Sequence, residues 1–313
     1  MDLLTYLMIV VEIATAILLS PIIILVAILS QILSWIFIRK SAKSIKGEIA
    51  VVTGGGNGLG REICIQLASK GCHVAVADID LVGAEKTASF LQKQYNIKAN
   101  AYKIDVANHD QVLQLYENVT KELGAATVLV NNAAMLMFAN QSNPDWREVQ
   151  NLINVNLTSH FWTLEAFLPK MKELKKGHIV AIASVASCFP LTYFSQYTAT
   201  KFAVRGLMRV LRLELHLGKF ENIHATTVMP FFLNSNRRVA SSYVKSGYSK
   251  KYPMINSDDA AKSIINAVLL NKKEIMLPSV LGILYRLHEI LPTSWQDLAI
   301  YIKSKNLTVD MIK

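Results

Sequence analysis

A chain of 313 residues is long enough for one large domain or two small ones with a substantial core. Its hydrophobic content of 52%, mean hydropathy of +0.30 and formal charge of +10 are unusual for an ordinary soluble protein. The three cysteines, Cys64, Cys72 and Cys188, are an odd set without metal-ligand spacing, so they exclude a zinc-finger module and suit a reducing compartment.

The excess hydrophobicity lies at the front. Leu3 to Ile38 is one apolar run of 36 residues holding a single charge, Glu12. A spanning helix needs about 20 apolar residues, so residues 1–40 read as a membrane anchor. Two arrangements fit: one tilted span using mainly Ile13 to Ile38, which is preferred, or a hairpin turning near Ser20-Pro21. No basic residue precedes the run, unlike a cleaved secretory signal. Arg39, Lys40, Lys43 and Lys46 follow it, and the positive-inside bias puts the body in the cytosol. An anionic membrane surface, and not nucleic acid, is the partner this charge implies.

Residues 41–313 read as a single domain. Seven β-branched runs alternate with helical patterns: Ile49 to Thr53, His73 to Asp78, Ala99 to Asp105, Thr127 to Asn131, His178 to Ala183, His224 to Met229 and Glu274 to Leu277. That alternation predicts an α/β fold with a Rossmann-like, doubly wound, parallel seven-stranded sheet.

The first strand runs into Thr53-Gly-Gly-Gly-Asn-Gly-Leu-Gly60, and a helix is expected from about Leu59. Glycines at 54, 58 and 60 permit a tight turn and let the backbone approach a pyrophosphate at the helix N-terminus. Asp78 ends the second strand, where a carboxylate bonds the adenosine ribose hydroxyls and repels a 2′-phosphate. The expected cofactor is therefore NAD rather than NADP. A strand-ending Asp that caps the next turn is the other reading of Asp78.

Ser184, Tyr197 and Lys201 form the remaining constellation. A phenol ordinarily releases its proton near pH 10. An ammonium at i+4 shares its helix face and lowers that value, so Tyr197 is expected to serve as a base near neutral pH.

Together with Asp105-Val106 after the third strand, Asn131-Asn132-Ala133 after the fourth, and Asn156, these motifs make the body resemble the short-chain dehydrogenase/reductase superfamily. His160 to Pro169, Gly177 to Val180 and Leu287 to Pro292, with the anchor, are similar to its membrane-anchored branch of epidermal-type retinol dehydrogenases and lipid-droplet 17-beta-hydroxysteroid dehydrogenases. The resemblance implies a catalytic set in which Tyr197 is the general base, Ser184 bonds the reacting oxygen, Lys201 holds the nicotinamide ribose, and Asn156 holds a water. It implies that Gly54, Asn57, Gly58, Leu59, Gly60, Asp78, Asp105, Val106, Asn132, Ala133, Tyr197, Lys201 and Ser235 bind the cofactor. No metal is implied. Ala134, Ser187, Phe231 and Ser235 depart from the superfamily pattern and bear on substrate preference.

Basic and Tyr residues interleave over 236–256, where the resemblance implies a lid over the substrate. Leu277 to Leu291 is expected to be a core helix, with a membrane-facing helix as the alternative. The whole predicts a membrane-anchored oxidoreductase acting on a lipophilic alcohol or ketone, retinol first and a 17-beta-hydroxysteroid next. The expected location is the endoplasmic reticulum membrane or lipid droplet, and a homodimer is compatible. The competing class is a lipid-droplet surface binding protein with a retired site.

Overall fold

A computed structural model describes residues 2–37, 42–136, 145–234 and 254–304. The chain divides into two compact units, Met1–Ala42 and Lys43–Lys313. The first contains helix α1, Leu3–Phe37, which continues through Pro21. The hairpin alternative required a turn there, and the helix has none. Leu4–Ile23 is a 20-residue window of mean hydropathy 2.2, long and apolar enough to cross a membrane.

The second unit is built on a seven-stranded parallel sheet in the order β3-β2-β1-β4-β5-β6-β7. Its strands are β1 Ile49–Thr53, β2 His73–Asp78, β3 Ala99–Lys103, β4 Val128–Asn131, β5 Gly177–Ile182, β6 Ile223–Pro230 and β7 Glu274–Leu277. The central strands β1, β4, β5 and β6 are rich in β-branched residues and largely buried, as a sheet covered on both faces requires, while the edge strands β3 and β7 are partly buried. β3 stops before the expected Asp105 because the Asp105 carboxylate accepts the Ala107 N–H at 2.9 Å and turns the chain.

Six helices cover the two faces. Helices α2 Gly58–Ser69 and α3 Leu81–Tyr95 share one with α8 Ser257–Leu269, packing Ile63, Leu67, Leu91 and Ile264 against Val52, Val76 and Val130. Helices α4 His109–Glu122, α6 Ser159–Glu173 and α7 Ser195–Leu217 share the other, packing Val112, Phe167, Met208 and Leu211 against Val51, Leu129 and Ile179. A short α5, Trp146–Ile153, joins α6 through a π-helical turn, Asn154–Thr158. Full burial of a Val or Leu side chain is worth about 1.5–3 kcal/mol, so the two layers carry the fold. Cys64, Cys72 and Cys188 are buried free thiols, consistent with a packing role.

After β7 come α9 Val280–Glu289 and α10 Thr293–Ser304. The expected core helix at Leu277 to Leu291 is not found. In α9 only Tyr285 is buried, while Val280, Ile283, Leu284 and Leu287 are exposed. The helix packs beside the edge strand β7, and among the described residues nothing covers its outer side chains. Ser235 and most of the expected lid over 236–256 lie outside the described residues.

Candidate active site

The strand order reverses between β1 and β4, and ligands of such sheets bind in the crevice at the C-terminal ends of those strands. The glycine turn leaves β1 at that point. Gly54 has φ of +66° and Gly58 of +54°, both in the left-handed region that glycine tolerates. A Cβ on Gly54 would stand 3.0 Å from the Ala133 Cα and from Asn132 Nδ2. Asn132, just beyond β4, closes the turn: its Nδ2 donates to the Thr53 and Gly54 carbonyls at 3.0 and 3.1 Å. The Asn132 and Ala133 amides in turn donate to Thr53 Oγ1 at 3.0 and 3.1 Å.

Helix α2 starts at Gly58, one residue before the expectation. Asn57 stands at its N-cap without a side-chain cap bond, leaving the first amides and the helix dipole to an anion. Leu59 is buried in the core below. These features fit a dinucleotide pyrophosphate: a cradle that a Cβ would fill, ending at an uncapped helix N-terminus.

Asp78 is half-buried at the end of β2. Its Oδ2 accepts the Gly56 N–H at 2.8 Å, and its Oδ1 accepts the Asp80 N–H at 2.9 Å. The capping reading of Asp78 is thus correct in part. A carboxylate has about four lone-pair positions, so two remain for a diol. Asp80 lies beside it, capping α3 at Gly83 and accepting from Asn57 Nδ2 at 3.2 Å. Two carboxylates thus stand at this corner. Asp105 and Val106 follow the edge strand β3, and among the described residues no hydrogen bond joins them to the glycine turn. Val106 is core and Asp105 a local turn residue.

Ser184, Tyr197, Lys201 and Asn156 come together next to this crevice. Ser184 caps the turn after β5, accepting the Ala186 N–H at 3.1 Å, and its side chain lies close enough to the Tyr197 phenol to favour the phenolate. Tyr197 and Lys201 share one face of α7, with the Lys201 Nζ 5.6 Å from the Tyr197 ring centroid. Lys201 is 2% exposed and donates to the Ile182 carbonyl at 2.9 Å.

The expected lowering of the Tyr197 pKa by Lys201 is not met. Burial pushes the phenol above its ordinary value, opposed by Ser184. Burial also pulls Lys201 down to about 8. Desolvation penalises both charged forms and is the first cause of each shift.

Asn156 is fully buried in the π-helical turn. Its Oδ1 accepts the Met135 N–H at 2.7 Å, and its Nδ2 donates to the Met135 carbonyl at 2.8 Å and to Thr200 Oγ1 at 3.3 Å. The amide expected to hold a water is engaged mainly with backbone, and it fixes the residue preceding Lys201. π-Helical turns are frequent at functional sites. Sequence periodicity carried no sign of this one.

Two further residues escaped the sequence. His160, one turn beyond Asn156, is 1% exposed and is pulled down to about 3 by burial and then by the charge of Lys201, so it stays neutral. Ser187 turns inward, donating to the Ser184 carbonyl at 2.6 Å and bracing the Ser184 turn. The departure at Ala134 falls on an exposed residue, and Phe231 packs edge-on against Phe232 at 5.1 Å.

Residues 48–243 match the short chain dehydrogenase family. The chain belongs to the short-chain dehydrogenase/reductase family. Human 17-beta-hydroxysteroid dehydrogenase 13 is 34% identical over 257 residues, covering 82% of this chain and 83% of that protein. Bovine short-chain dehydrogenase/reductase family 16C member 6 is 34% identical over 261 residues, covering 82% and 80%. Human estradiol 17-beta-dehydrogenase 11 is 29% identical over 257 residues, covering 82% and 83%. The branch suggested by the sequence is therefore the right one. Among solved structures, a short-chain dehydrogenase/reductase from Burkholderia phymatum in complex with NAD superposes with a TM-score of 0.71 at 21% identity, covering 79% of this chain and 94% of that one. An alcohol dehydrogenase from Thermococcus sibiricus complexed with 5-hydroxy-NADP gives 0.63 at 25%, covering 73% and 95%. Both share the fold, and their ligands differ in the 2′-phosphate.

Proposed function

We propose that the protein is a membrane-anchored oxidoreductase that moves a hydride between a lipophilic alcohol and NAD, with Tyr197 as general base. The observation that carries this reading is Tyr197 set close to Ser184 and within reach of the buried Lys201, beside the glycine turn. Bound nicotinamide would supply the hydride acceptor. Tyr197 Oη takes the hydroxyl proton of the alcohol in oxidation and returns it in reduction. Ser184 Oγ donates to the same substrate oxygen as it becomes a carbonyl. Lys201 presents its ammonium to the ribose and to the Tyr197 ring. Asn156 is a positioning residue that holds Met135 and Thr200.

The relatives' names, 17-beta-hydroxysteroid and estradiol dehydrogenases, support a hydroxysteroid as the substrate class. Retinol, first in the sequence reading, becomes second. Helix α1 and the exposed apolar side chains of α9 and α10, including Leu287, Ile290, Trp295 and Tyr301, support substrate arriving through lipid. Arg39, Lys40, Lys43 and Lys46 support a cytosolic active site on the endoplasmic reticulum or a lipid droplet. The retired-site reading lacks support while Ser184, Tyr197 and Lys201 remain in contact.

Membranes holding the full chain, supplied with NAD and a panel of hydroxysteroids, retinol and long-chain alcohols, test the reading. Reduced cofactor is expected with at least one lipophilic alcohol. No turnover of any member would contradict it.

Asp78 supports NAD as the cofactor. Replacing it with Ala is expected to weaken NAD binding about 10- to 100-fold, the loss of bonds to a charged group, while leaving NADP no weaker. Titration of both cofactors checks this. Equal losses for the two would remove Asp78 from cofactor selection and leave it only the Gly56 and Asp80 bonds.

A further inference from the structure

A cavity of about 530 Å³ opens at the opposite end of the sheet, among the N-terminal ends of β1, β4, β5 and β6. Lys43, Lys175 and Lys176 line it with His178, His224, Glu48 and Asn271. Its polar groups are held in place. Thr226 Oγ1 donates to the Lys272 carbonyl at 2.6 Å and therefore accepts from His178 Nε2 at 2.8 Å. His178 Nδ1 is left as an acceptor, and Lys43 Nζ donates to it at 2.8 Å. His178 is 1% exposed and burial holds it neutral.

The charges do not balance. Glu48 is the one carboxylate lining the cavity, and it is occupied by Lys176 and by the Thr127 hydroxyl. Lys43 and Lys175 have no ion pair among the described residues. Three ammonium groups thus face one spent carboxylate. Burial, with Lys176 adding to it against Glu48, lowers Lys43 to about 8, which marks an under-compensated cation. Asn271 adds a buried Oδ1 without a hydrogen-bond partner. A group bearing negative oxygens would meet the ammonium groups.

We propose that this cavity binds a phosphate monoester, and that Lys43 and Lys175 are its principal ligands. A doubly charged head satisfies the free ammonium groups with charge-assisted bonds. Residues 38–42 join Phe37 to Lys43, a tether of at most about 20 Å. On the reading of α1 as an anchor, lipid headgroups are the nearest source, and free phosphate is the other. The site lies away from the hydride-transfer residues and does not take part in their chemistry.

Thermal melts of the full chain in neutral detergent, with NAD present to fill the glycine turn, test this. The probes are dihexanoyl phosphatidic acid, dihexanoyl phosphatidylcholine and inorganic phosphate. A ligand that binds the folded state raises Tm as RT ln(1 + L/Kd) grows, L being the free ligand concentration, so affinity is read from the concentration that gives a set shift. Phosphatidic acid is expected to raise Tm and phosphatidylcholine not to. Lys43→Met and Lys175→Glu are each expected to weaken the phosphatidic acid response at least about tenfold in the concentration that gives a set shift. Lys175 makes no described side-chain bond, so Lys175→Glu keeps its fold even where Lys43→Met does not. An equal response to inorganic phosphate would support the site and assign it to the free anion. No response to either phosphate, or a response unchanged in Lys175→Glu, would overturn it. Alcohol turnover measured in parallel separates this outcome from failure of the oxidoreductase reading.

Discussion

Replacing Tyr197 with Phe is expected to lower kcat about 10²- to 10⁴-fold, the usual worth of a positioned acid or base. The ring keeps its place near Lys201 and only the hydroxyl is lost, so NAD affinity and Tm should change little. The pH profile carries a second expectation. Oxidation needs the phenolate, and burial raises the Tyr197 pKa while holding Lys201 to about 8. Alcohol oxidation by the wild type should therefore rise as pH increases through 8 and continue upward. Ketone reduction needs the protonated phenol, which the raised pKa preserves, and should stay level through pH 8. The apparent values belong to the Tyr197–Lys201 pair, not to either group alone. Rates in both directions, for wild type and Tyr197→Phe, check this. A variant retaining wild-type kcat would remove Tyr197 from the chemistry.

Gly60→Ala is expected to lower both stability and cofactor affinity. The new Cβ would overlap the Gly54 carbonyl and approach Asn132 Nδ2 to 2.5 Å. The first of these is backbone, fixed by the left-handed Gly54 and by the Asn132 bonds, so it cannot yield cheaply. Overpacking of this kind costs typically about 1–3 kcal/mol, or a Tm loss of several degrees for a domain of this size. A displaced Gly54 also deforms the pyrophosphate cradle, so NAD should bind at least about tenfold more weakly. Melting curves and NAD titration measure the two effects. Normal values of both would mean that the turn is looser than its packing indicates.

The parallel sheet was legible because buried strands and helices alternate in the sequence with the right lengths. The glycine turn was legible because glycines at 54, 58 and 60 are needed where side chains would collide or φ is positive. The Ser184, Tyr197 and Lys201 cluster was legible through a helical repeat that places two of them on one face. What escaped depends on tertiary surroundings. Apolar content at Leu277 to Leu291 suggested a core helix, yet whether a second layer covers α9 is a matter of topology. Charge spacing suggested a lowered Tyr197 pKa, but the depth of burial that reverses its sign has no mark in the spacing. The π-helical turn at Asn156 arises where α5 and α6 meet, and the inward rotamer of Ser187 arises from the Ser184 carbonyl above it.

The central claim is that this site transfers hydride from a lipophilic alcohol. Full-length protein in a bilayer, given NAD and a 17-hydroxysteroid or retinol deuterated at the carbinol carbon, tests it most directly. Mass analysis of the reduced cofactor should find the label transferred by the wild type and absent with Tyr197→Phe. Reduced cofactor without label, or equal labelling by the variant, would contradict the account.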